Sequence, residues 1–285
     1  MAFPLFALLL GLSTVDSFSV HNPFRGQSRF LSRARGAATS ALPSPRSKAD
    51  FKADGFLFDI DGTLANTDPV HFAVFQELLL AEGVNGGVVI DEAFNARVLA
   101  GRSNPVIMGD LFPHWPLDRQ LAWTEGKEKR FRALLAAGKL ADAKTRGLDK
   151  LVAWVDAHRP GKTCAVTNAP RLNANAILSG IGLDSWFGDR LVIGDECARA
   201  KPDPLPYILG AERIGADPQR CIVFEDSPSG ATAGKAAGCF VVGILSGQTR
   251  EALEAVGCDL IVKDMECPVL WDFLEGAVGS GEGTE

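Results

Sequence analysis

Four stretches of this chain place chemically capable side chains directly behind short apolar runs. Phe56–Phe58 is followed by Asp59 and Asp61, and Cys164–Val166 by Thr167 and Asn168. Leu191–Ile193 is followed a little later by Lys201, and Cys221–Phe224 by Glu225 and Asp226. Two carboxylates two positions apart at the end of a buried strand are costly, so a cation or a chemical role is needed to keep both there. Gly62 then lets the chain turn, Thr63 can bond locally, and Leu64 returns to the core. Each feature alone has an ordinary alternative. Asp61-Gly62 also reads as hairpin punctuation, Thr167 as a cap for the helix after Pro170, and one of Glu225 and Asp226 as a cap before Pro228. The other acid of that last pair would stay buried without a partner, which suits a hard divalent cation. Lys201 precedes a helix start marked by Asp203 and Pro204, where the helix dipole repels a cation unless an anion lies beside it.

The elements that must position these groups follow from hydrophobic periodicity. Phe56–Phe58 reads as a strand buried on both faces, and a helix follows with Thr67 or Asp68 as its cap and Pro69 at its first position. A second helical pattern starts near Asp91, a Gly- and Pro-rich stretch follows Ala100, and Leu117 to Ala137 is a long amphipathic helix. From Gly147 the rhythm becomes helix, strand, helix, strand. Helices are expected at 148–158, 171–181, 204–214, 230–237 and 270–275, with strands at 163–166, 191–193, 221–224, 240–244 and 260–262. This alternation implies parallel pairing with right-handed crossovers. The fold class is therefore α/β: a Rossmann-like parallel sheet core (residues 54–66 and 145–276) with an inserted α-helical cap (67–144), a leader (1–53) and a frayed tail (277–285). In an open parallel sheet the residues behind the strands share one edge, where ligands sit.

The stretch DIDGTL at 59–64 resembles the first motif of the haloacid dehalogenase-like hydrolases, KPDP at 201–204 the third, and FEDSPSG at 224–230 the fourth. The resemblance implies Asp59 as nucleophile toward phosphorus and Asp61 as general acid and base. It implies Thr167 and Lys201 as further catalytic groups, and Mg2+ held by Asp59, Glu225, Asp226 and Asp61, the last through its backbone carbonyl. The set as a whole reads as a phosphoryl-transfer constellation, and Asp61 argues against dehalogenation, where no leaving alkoxide needs a proton. The span from Asp54 to Glu275 is similar to the β-phosphoglucomutase and 2-deoxyglucose-6-phosphatase subfamily and to plant sugar-phosphate phosphatases. That likeness implies substrate contacts from Asn168, from His71 and from the cap loop of Gly101, Arg102, Ser103 and Asn104, although His71 also reads as a plain helix-surface histidine. The expected function is a Mg2+-dependent phosphatase of small phosphosugars, acting through an aspartyl-phosphate. A β-phosphoglucomutase-type mutase and a non-catalytic phosphosugar-binding protein remain the alternatives.

The first fifty residues differ in kind. Phe3 to Leu12 is apolar but too short to span a bilayer, and Ser17 to Lys48 holds five Arg and one Lys with no acid. This order resembles the bipartite plastid-targeting leaders of algae with complex plastids, with cytoplasmic or secretory placement as the alternatives. Residues 1–49 carry six of the 29 basic and one of the 35 acidic residues, so the remainder has 23 against 34, a net charge of −11. Such a surface repels nucleic acid and anionic membrane, and a monomer is expected. The six cysteines lack pairing motifs and read as buried free thiols, and the single Tyr among 17 Phe carries no functional reading.

Overall fold

A computed structural model describes residues 51–99, 102–138 and 143–278. Nearly all of the expected leader, Gly101 and residues 279–285 lie outside them.

The core is one six-stranded parallel sheet in the order β3-β2-β1-β4-β5-β6. Its strands are β1 (Gly55–Phe58), β2 (Thr163–Thr167), β3 (Leu191–Ile193), β4 (Cys221–Glu225), β5 (Phe240–Ile244) and β6 (Leu260–Val262). Alternation along β1 sends Phe56 and Phe58 to one apolar layer and Leu57 to the other, which is why the sequence there is continuously apolar. Helices α4 (Leu148–His158), α5 (Arg171–Gly180) and α10 (Pro268–Val278) cover the first face, while α7 (Leu205–Arg213) and α8 (Pro228–Ala236) cover the second. Strand order reverses between β1 and β4, and that switch point is where an open α/β sheet binds ligands.

Two short helices escape the periodicity, α6 (Asp184–Phe187) and α9 (Arg250–Ala255). At four and six residues they are too brief to show a repeating apolar stripe. Thr167 and Glu225 close their strands rather than follow them, so their positions are fixed by the sheet ladder itself.

The insert comprises α1 (Asp68–Ala81), a helical turn (Glu92–Phe94) capped by Asp91, α2 (Asn104–Leu111) and α3 (Leu117–Ala137). It has its own apolar cluster around Phe75, Leu79, Ile107, Met108 and Phe112. Val74, Phe131 and Leu135 instead join the main core and seat the cap on it. The two crossings between cap and core are bound together. Ala65 bridges Lys144 antiparallel, Asn66 N–H donates to Ala143 O at 2.8 Å, and Thr145 Oγ1 donates to Thr63 O at 2.7 Å.

The domain boundaries need correction at both ends of the core. Phe51 is buried against Phe240 and Phe273, with ring centroids 5.1 and 6.0 Å away, and Ala53 N–H donates to Ala277 O at 2.8 Å. Residues 51–53 and 277–278 therefore belong to the fold, since one buried phenylalanine outside any periodic run leaves no sequence pattern. None of the six cysteines forms a disulfide, but only Cys164, Cys221 and Cys239 are buried; Cys197, Cys258 and Cys267 are half-buried. Among the described residues no helix is long and apolar enough to cross a membrane.

Candidate active site

The centre of the sheet edge is a buried ion cluster. Lys201 Nζ lies 2.7 Å from Asp59 Oδ1, 2.7 Å from Glu225 Oε1 and 2.7 Å from the Val166 carbonyl. Burial lowers the ammonium's affinity for its proton, but Asp59 and Glu225 outweigh it and hold Lys201 above its ordinary value. Glu225 accepts hydrogen bonds on both oxygens. Its Oε1 also accepts from Tyr207 Oη at 2.8 Å, and its Oε2 accepts from the amides of Asp226 and Ser227 and from Ser227 Oγ, at 3.0 to 3.1 Å. The first turn of α8 lies directly over this carboxylate, and a Cβ on Gly230 would fall 1.5 Å from Glu225 Oε1. Tyr207, the only tyrosine in the chain, is thus a site residue that composition alone did not reveal.

Asp59, Glu225 and Asp226 each offer one oxygen to a group spanning no more than 4.8 Å. Burial pushes the Asp59 and Asp226 carboxyls well above the usual carboxylate range. Lys201 opposes this at Asp59, whereas Asp59, Glu225 and Asp68 add to it at Asp226. The only hydrogen bond to the Asp226 carboxylate among the described residues comes from Thr63 Oγ1 at 3.2 Å. Gly62 has φ +79°, and a Cβ there would meet Asp226 Oδ2 at 2.1 Å, so only glycine fits beneath it. Buried carboxylates with so little compensation suit a hard divalent cation.

Asp61 adds no carboxylate to that group, in keeping with an expected metal contact through its backbone carbonyl alone. Its Oδ1 accepts from Thr67 Oγ1 at 2.7 Å and faces His71 Nε2 at 3.4 Å. Thr67 therefore stands at the start of α1 without capping it by its side chain, because the hydroxyl is turned to Asp61. His71 Nδ1 lies 3.1 Å from Lys127 Nζ, and its ring stacks on Phe131 with centroids 3.9 Å apart. An ammonium can only donate, so the remaining imidazole hydrogen lies on Nε2, toward Asp61. Burial raises the Asp61 carboxyl, but His71, Thr67 and Lys127 outweigh it and hold it below its ordinary value.

Thr167 is buried and its Oγ1 accepts from Ala169 N–H at 2.9 Å, while α5 begins after Pro170 without a side-chain cap. The Asn168 amide is engaged by the Lys201 backbone. Its Nδ2 donates to Lys201 O at 3.1 Å and its Oδ1 accepts from Lys201 N–H at 3.2 Å. Arg102 also departs from expectation: Nη1 donates to Val98 O at 2.8 Å and Nη2 pairs with Asp110, both within the cap. Ser103 precedes α2, its hydroxyl makes no capping bond, and Asn104 Nδ2 donates to Glu128 Oε1 at 2.6 Å. Gly101 lies outside the described residues. The structure brings Asp59, Lys201, Glu225 and Asp226 into one cluster with Asp61 on its own hydrogen bonds, and adds Tyr207, Thr67, Lys127 and Glu128 as supports that the sequence did not point to.

A parallel α/β core with a helical insert behind β1, and a lysine bound between carboxylates from β1 and β4, defines a class of capped hydrolase. The chain belongs to the haloacid dehalogenase-like hydrolases, whose family model matches residues 53–238. It is 30% identical over 193 residues, 67% of this chain and 95% of the relative, to fructose-1-phosphate phosphatase YqaB of Escherichia coli. It is also 30% identical over 189 residues, 65% of this chain and 82% of the relative, to a phosphorylated carbohydrates phosphatase of Thermotoga maritima. A solved structure of a CbbY variant from Rhodobacter sphaeroides with xylulose-(1,5)bisphosphate is 26% identical, with a TM-score of 0.64 over 75% of this chain and 95% of that one.

Proposed function

We propose that this protein is a Mg2+-dependent phosphatase of small phosphorylated sugars, working through an aspartyl-phosphate on Asp59. The observation that carries this reading is the placement of Lys201 between Asp59 and Glu225, with Asp61 beside them on separate hydrogen bonds. Asp59 and Asp226, with Glu225 and the Asp61 carbonyl, are the groups that would hold Mg2+. When bound, the ion screens the repulsion between a carboxylate and a phosphate monoester. The names of the two phosphatases and the sugar bisphosphate held by CbbY support the substrate class.

The protein's own groups divide the work. An oxygen of Asp59 attacks phosphorus, the ester P–O bond breaks, and Lys201 offsets charge on the opposite side. Asp61 gives a proton to the leaving alkoxide. It is held as a carboxylate by His71 and Thr67 in the free protein, and the arriving phosphate dianion raises its affinity for that proton. Asp61 then takes a proton from the water that hydrolyses the aspartyl-phosphate, releasing inorganic phosphate. The cap excludes bulk water during these steps.

The test is phosphate release from a panel of sugar phosphates, with Mg2+ and with EDTA, for the native chain and Asp59→Asn. Release that needs both Mg2+ and Asp59 is expected. Isomer formation without phosphate release would assign the protein to the mutases, and binding without turnover would make it a sugar-phosphate-binding protein. The acid-free stretch from Ser17 to Lys48, behind the apolar run Phe3 to Leu12, supports a second proposal, import into a plastid by a bipartite signal. A fluorescent fusion of the first 55 residues in an algal cell tests it, and a cytosolic or extracellular signal would refute it.

A further inference from the structure

Resting on the phosphatase reading, we propose that Glu128, Asn173 and Arg132 form a latch between cap and core. In this proposal the latch, rather than the catalytic carboxylates, sets the preference for a phosphosugar over a simple phosphate ester. Asn173 lies in the first turn of α5, a core helix, and is only 1% exposed. Its Nδ2 donates to Glu128 Oε2 at 2.5 Å, and its Oδ1 accepts from Arg132 Nη1 at 2.7 Å. Glu128 and Arg132 are four residues apart on α3, so one face of the cap helix grips both halves of one core amide. Both bonds are charge-assisted, and removing the amide leaves a buried carboxylate short of a donor.

Three parts of the site meet at this latch. Glu128 Oε1 accepts from Asn104 of the cap loop at 2.6 Å and from Lys127 at 2.8 Å, and Lys127 reaches His71. On the core side, α5 begins just behind the turn that carries Thr167 and Asn168. The covalent link between cap and core is a single narrow joint, residues 65–66 beside 143–145, which by itself leaves the cap free to rock. A latch on the paired helices α3 and α5 restrains that motion. Only a substrate whose leaving group is read by the cap depends on it.

The test compares the full chain with Asn173→Leu, which keeps similar volume without hydrogen bonds, and with Arg132→Met, which removes one of the two bonds. In Asn173→Leu, kcat/KM for the best sugar phosphate of the panel is expected to fall about tenfold while that for p-nitrophenyl phosphate stays within about twofold. Hydrogen–deuterium exchange should quicken in 104–111 and 117–137 and stay unchanged in β1 and β4. Arg132→Met should move the same readings in the same direction by less, and it decides the matter if Asn173→Leu does not fold. Equal losses on both esters, or unchanged exchange in the cap, would overturn the latch. If the native chain hydrolyses no sugar phosphate, the phosphatase reading fails, and the exchange measurement still decides the latch.

Discussion

Asn168 grips Lys201 by the backbone: its side-chain amide exchanges hydrogen bonds with both the N–H and the carbonyl of that lysine, at 3.2 and 3.1 Å. The ammonium is thereby aimed between Asp59 and Glu225 by a residue that touches neither. Asn168→Ala removes two bonds of about 1 kcal/mol each, so kcat is expected to fall roughly thirtyfold with KM little changed. Steady-state kinetics on the best sugar phosphate check this. A rise in KM with kcat intact would mean that Asn168 reads the substrate instead.

The raised carboxyls of Asp59 and Asp226 set a pH dependence. The folded metal-free protein binds their protons more tightly than the unfolded chain does. Their contribution to stability is therefore full below the ordinary Asp value of about 3.9 and is lost as pH rises through the raised folded values. Mg2+ competes with those protons, so the rise in Tm on adding it should be small at acid pH and grow as pH rises through the raised folded values. Asp226→Asn should steady the metal-free protein at the higher pH and blunt its response to Mg2+. Thermal melts across that range are the measurement, and a pH-independent increment would contradict the raised carboxyls.

Burial pushes the thiols of Cys164 and Cys221 up to about 12. At about pH 8 roughly one in ten thousand of each is thiolate, so both should resist iodoacetamide in the native protein and react once it is unfolded in guanidinium. Mass spectrometry of tryptic peptides reads the outcome. Rapid native labelling of either residue would show that the strands carrying them open readily.

Shortening the chain to begin at Lys48 should leave stability and turnover unchanged, because the acid-free stretch it removes has too few apolar residues to offset ordering entropy and Phe51, packed on Phe240 and Phe273, is kept. Beginning at Gly55 removes Phe51 and the Ala53–Ala277 bond, and should cost about 3 kcal/mol in urea unfolding. Equal midpoints for the two chains would mean that residues 51–53 contribute nothing to the fold.

What the sequence alone determined is the sheet and the groups at its edge. Each of Asp59, Thr167 and Glu225 stands at the end of an apolar run, and parallel pairing brings the ends of such runs together whatever the connections between them. A local pattern is enough in that case, which is why the long cap helix and most core elements fell within a few residues of their expected places. Partnerships were decided only by the tertiary structure. Thr67 had the composition of a helix cap but faces Asp61, Arg102 looked free for a substrate but is paired with Asp110, and Asn173 meets Glu128 across 45 residues. Residue type sets what a side chain can donate or accept. Which group it meets depends on distance and direction at the scale of a single bond, and those exist only after the cap has been seated on the core.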